Sequence, residues 1–100
     1  MNVGSRNNPS IWVCAILTSV PTVLTFDGLR VVIYLNDHRP EHVHVVGDGC
    51  EAVFRLGCPR GPVVLQENYG FKKSAIRRMR NVLNQNAATL CCTWEEIHGE

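Results

Sequence analysis

The chain has 100 residues, of which 45% are hydrophobic, 19% charged and 7% aromatic, and its formal net charge is +1. That length holds one domain with a small core and excludes barrel enzymes, solenoids and two-domain architectures. The near-neutral balance excludes a wholly basic nucleic-acid binder, and the apolar content excludes bulk disorder.

In chain order, the polar start Met1–Ser10 leads into the apolar run Ile11–Val20 (IWVCAILTSV). A run of this length is too short to span a membrane. Only Arg6 precedes it, and no small-x-small pattern stands before Pro21, so a signal peptide is not expected. Residues 1–20 read as an N-terminal extension, partly disordered or the product of an upstream start codon. Residues 21–100 read as one α+β domain.

Asp27-Gly28 stands between two β-rich runs, Thr22–Phe26 and Leu29–Leu35. This dipeptide predicts a two-residue type I′ hairpin, because both turn positions need positive φ. The polar loop Asn36–Glu41 follows. A second hairpin is predicted from His42–Val46 and Glu51–Leu56 around Asp48-Gly49. Gly57–Pro62 is a breaker-rich loop, Val63–Gln66 an edge strand, and Asn68–Gly70 a turn. Ile76, Met79, Leu83, Ala87, Leu90, Trp94 and Ile97 then recur at helical spacing. They predict one long helix over about 72–98, with Gly99 as terminator. The expected fold is an antiparallel sheet of four to five strands covered on one face by that helix.

The hairpin registers sort the side chains by face. Two-residue turns pair Phe26 with Leu29 and Leu24 with Val31, and likewise Val45 with Ala52 and Val43 with Phe54. The apolar face carries Leu24, Phe26, Leu29, Val31, Ile33, Leu35, Val43, Val45, Cys50, Ala52, Phe54 and Leu56. The opposite face carries His42, His44, Glu51, Val53 and Arg55, joined by Arg30, Val32 and Tyr34 from the neighbouring hairpin. Asp37 and His38 lie in the loop entering the third strand.

This is the one constellation in the chain with the parts for chemistry. A metal-free acid–base site would use His42 or His44 as general base, Arg30 and Arg55 to hold phosphate, and Tyr34 to assist. Small ribonucleases are assembled from such parts. His42 and His44 also form a two-imidazole arm for a metal, with His38, Asp37 or Glu51 as the third ligand, but no fixed ligand spacing is met. A polar interaction surface without catalysis is the plainer alternative.

Lys72, Lys73, Arg77, Arg78 and Arg80 open the helix, and Lys73, Arg77 and Arg80 share one flank. Cations there oppose the helix dipole, which points to an anionic partner such as RNA or an acidic protein, or to a solvated face. No aromatics are interleaved, so base stacking is not supported. The charge is segregated: residues 1–20 carry +1, 21–70 carry −2 and 71–100 carry +2. None of the dinucleotide, P-loop, serine-hydrolase or zincin motifs occurs, so no cofactor is expected. The five cysteines (Cys14, Cys50, Cys58, Cys91 and Cys92) are an odd number without a CxxC pair. They read as reduced, mostly buried residues of a cytoplasmic protein.

Several segments together resemble one bacterial family. These are Pro21–Leu24, Gly28–Tyr34, Pro40-Glu-His-Val-His-Val45, Glu51–Phe54, Tyr69-Gly-Phe71 and Trp94-Glu-Glu, in that order. The chain resembles the domain-of-unknown-function family 4160 over about residues 21–99. The resemblance implies a compact cytoplasmic protein, carries Pro40, His42 and His44 as motif positions, and implies one half of a toxin–antitoxin-like pair with a small cognate partner. Many relatives have proline at the place of Glu41 and histidine at the place of Asn86. The expected function is therefore that of a toxin–antitoxin-like protein, with the His42/His44 face as active or binding surface. A non-catalytic antitoxin or adaptor and a histidine-based metal-binding protein are the alternatives; self-association is compatible with each.

Overall fold

The computed structural model describes residues 22–99, and the extension 1–20 lies outside them. Five strands, β1 (Thr22–Phe26), β2 (Leu29–Val32), β3 (His42–Gly47), β4 (Cys50–Arg55) and β5 (Val64–Tyr69), precede helices α1 (Lys73–Gln85) and α2 (Ala87–His98). The strands form one antiparallel meander in sequence order. Both aspartate–glycine turns have positive φ throughout: 51° and 76° at Asp27 and Gly28, 54° and 74° at Asp48 and Gly49. That is the type I′ geometry, whose twist matches the strands it joins. The registers follow from it. Phe26 faces Leu29, Val43 faces Phe54, His44 faces Val53 and His42 faces Arg55.

One face of the sheet is the core. Val31, Ile33, Val43, Val45, Ala52, Phe54 and Leu56 are fully buried against the helix stripe Ile76, Met79, Leu83, Ala87, Leu90 and Trp94. Fully burying one such aliphatic or aromatic side chain contributes roughly 1.5–3 kcal/mol, so this single interface is the main source of stability.

Four expectations are corrected. The long helix is two helices broken at Asn86, whose φ is −113°. The Asn86 side-chain amide donates to the Val82 carbonyl at 2.8 Å, and its backbone N–H donates to Leu83 at 3.0 Å. An asparagine bonding its local backbone competes with the helical ladder. The apolar stripe runs unbroken through the joint, so periodicity could not reveal it.

Strand β5 extends to Tyr69, through residues read as a turn. It is an edge strand with mostly exposed side chains, and pairing with β4 rather than alternation defines it. Strand β2 stops at Val32, short of Leu35, because the Tyr34 N–H is taken by the Asp37 carboxylate at 3.0 Å. Leu35 accordingly leaves the core and is 56% exposed.

The cysteines are not all reduced. Cys58 and Cys91 form a disulfide between the β4–β5 loop and α2, with Cα atoms 5.7 Å apart, while Cys50 and Cys92 are free. Among the described residues, no helix is long and apolar enough to cross a membrane.

Candidate functional site

The face opposite the helices is where the histidines stand. His44 occupies the middle of β3, flanked across the sheet by Val32 and Val53. Both valines are buried, at 1% and 6% exposure, although they share the polar face. They give His44 apolar walls on both sides. Strand periodicity puts His42 on the same face one residue pair away.

The loop after β2 brings the decisive partner. Tyr34 and Asp37 close a tight turn by two bonds: the Asp37 N–H donates to the Tyr34 carbonyl at 3.1 Å, and the Tyr34 N–H donates to Asp37 Oδ2 at 3.0 Å. With one carboxylate oxygen so occupied, the other, Oδ1, is aimed at the histidines. It lies 3.3 Å from His42 Nε2 and 3.3 Å from His44 Nε2.

The far nitrogen of each ring is held as well. His42 Nδ1 is 2.9 Å from the Pro40 carbonyl, and His44 Nδ1 is 2.9 Å from Glu51 Oε2. The Tyr34 ring packs edge-on against His44 at 4.6 Å between centroids, and the two imidazoles lie 5.2 Å apart. Exposure of the Asp37, His42 and His44 side chains is 10%, 17% and 14%, so the cluster is mostly buried but keeps some access to solvent.

Next to it, the Arg39 guanidinium sits 5.1 Å above the Trp94 ring and bonds Glu95 at 2.9 and 3.2 Å. The bonded Glu95 holds Arg39 above the usual arginine range, and Arg39 holds the Glu95 carboxyl below its usual value. These residues pin the loop to α2 beside His42, whose ring is 6.5 Å from Trp94.

The expected residues divide accordingly. His42, His44, Glu51 and Tyr34 come together. Arg55 faces His42 in the register and Arg30 faces Val46, but both are exposed and neither has a bond to the cluster among the described residues. His38 is exposed in the loop, outside the cluster. Asp37, one of three alternatives for a third ligand from sequence, is the residue that both histidines face. Lys73, Arg77 and Arg80 line one cleft with Leu65, Asn68 and Ile76, where α1 meets β5.

The family model described as a domain of unknown function, DUF4160, matches residues 28–95. The chain belongs to the DUF4160 family. No curated protein and no solved structure matches it. The DUF4160 match spans β2 through most of α2, so the whole histidine cluster lies inside the family's domain.

Proposed function

We propose that this DUF4160 protein is the effector of a two-protein, toxin–antitoxin-like module, and that the Asp37–His42–His44 centre is its working part, with RNA as the substrate class. The observation that carries this reading is the bonding of both imidazoles at Nδ1 while their Nε2 atoms converge on one carboxylate oxygen. Fixing four polar side chains on a sheet face costs conformational entropy, and nothing in the core requires it. Exposed Arg30 and Arg55 on the same face supply cations for a phosphodiester, and the Lys73–Arg77–Arg80 cleft supplies a second anionic contact. Although Cys58 and Cys91 form a disulfide, the family resemblance leads us to place the protein in the cytoplasm, with a small cognate partner that covers the centre until it is released.

Induced expression without the partner tests this reading. Growth arrest with RNA loss, abolished by His44→Ala, is the expected result. Normal growth and intact RNA at high expression would remove the catalytic reading; a co-purifying partner under those conditions would assign the face to an adaptor.

A further inference from the structure

Hydrogen accounting at the centre leaves a charge unexplained. The Pro40 carbonyl can only accept, so His42 Nδ1 must carry the proton. An ionised Glu51 also only accepts, so His44 Nδ1 carries one too. In neutral imidazoles both Nε2 atoms are then bare lone pairs. Yet both are 3.3 Å from Asp37 Oδ1, itself a lone-pair-bearing anion. Three electron-rich atoms facing one another repel unless a cation lies between them. Two extra protons, one on each ring, would serve; so would one metal ion.

The geometry points to the metal ion, and we propose that Asp37 Oδ1, His42 Nε2 and His44 Nε2 are the ligands of a divalent first-row transition cation, zinc being the best match. This deepens the reading of the centre given above, and rests on it for the centre's role though not for its shape. The three ligand atoms lie within 4.8 Å of one another. Ligands at about 2.05 Å in a tetrahedron are separated by about 3.3 Å, which is the spacing of both Asp37–histidine edges. Each ligand is itself anchored. His44 donates to the Glu51 carboxylate, His42 to a backbone carbonyl, and Asp37 accepts from the Tyr34 N–H. Such outer bonds orient metal-binding histidines and make them better donors.

Three protein ligands, leaving a fourth position for water, is the pattern of a catalytic rather than a structural zinc site. The ion supplies an activated water and a Lewis acid for an anionic ester. Glu51 is a positioning residue: it does not touch the ion but holds His44 by the opposite nitrogen.

The test uses the full-length, untagged protein, stripped with chelator and titrated with zinc chloride and, separately, cobalt chloride. Wild type is expected to bind one zinc ion per chain, to melt higher with zinc, and to give cobalt absorption of a tetrahedral site. His44→Ala and Asp37→Asn are expected to weaken binding by about 100-fold or more, and Glu51→Ala by about 10–100-fold. His38→Ala and Cys92→Ser are expected to bind as wild type does. Without metal, Asp37→Asn is expected to melt no lower than wild type. Its amide still accepts from Tyr34 and can donate to the bare imidazole nitrogens.

The inference is overturned if wild type binds no stoichiometric zinc, or if His44→Ala binds equally well. Zinc at this site without growth arrest would leave the metal centre standing and remove the toxin reading. Arrest by a protein that binds no zinc would do the reverse.

Discussion

Asn84→Ala tests how the helix pair is tied to the sheet. Asn84 Oδ1 accepts the Val63 backbone N–H at 2.8 Å, joining α1 to the start of β5. Val63 is only 2% exposed, so removing the acceptor strands a buried donor. Such a donor costs about 1–3 kcal/mol. Alanine is the better helix former by up to about 0.7 kcal/mol, which partly offsets the loss. Asn81→Ala is the reference, because Asn81 is exposed in the same helix and has no side-chain bond among the described residues. That substitution is expected to be neutral or slightly stabilising. The difference between the two variants isolates the hydrogen bond at about 1–3 kcal/mol. With a urea m-value near 1 kcal/mol/M, their unfolding midpoints are separated by about 1–3 M. Equilibrium unfolding followed by circular dichroism measures this. Midpoints that coincide within about 0.3 M would refute the reasoning and show that water replaces the amide without loss.

Three further predictions concern other elements. Gly28→Ala should cost about 1–2 kcal/mol, all of it conformational: φ is +76°, and no atom lies within 4 Å of the added Cβ. A chemical-denaturation midpoint equal to that of wild type would contradict the positive φ. Reducing the Cys58–Cys91 bond, which spans 33 residues, should lower stability by about 3–4 kcal/mol by freeing the unfolded chain. A Cys58→Ser/Cys91→Ser protein as stable as the oxidised wild type would show that the bond contributes nothing. Finally, the bonded Arg78 guanidinium holds the Asp27 carboxyl below its ordinary 3.8. The unfolded state therefore takes up that proton more readily, so the pair's contribution is present above about pH 4 and is lost as acid drives the folded carboxyl to protonate. Asp27→Asn should flatten the fall in Tm between about pH 5 and 2.5, and an unchanged slope would exclude the linkage.

Local rules determined much of this molecule. Asp27-Gly28 and Asp48-Gly49 dictate two-residue turns, and those turns set the registers. The registers in turn decide that His42, His44 and Glu51 share a face while Val43, Val45 and Phe54 share the other. Every link in that chain spans a few residues, so it is legible in the sequence. The helical stripe from Ile76 to Trp94 is legible for the same reason. The joint at Asn86 is not, because a side chain bonding its own backbone leaves the apolar period intact. The length of β5 is not, because backbone pairing with β4 gives no side-chain signal on an exposed edge. The Cys58–Cys91 bond depends on where a loop meets a helix in space. Above all, only the tertiary structure chose among His38, Asp37 and Glu51. Asp37 faces the histidines because its other oxygen caps the end of β2, and Glu51 reaches only the far side of His44. Which carboxylate completes the centre is set by how a loop folds back over a neighbouring strand, and no spacing along the chain encodes that.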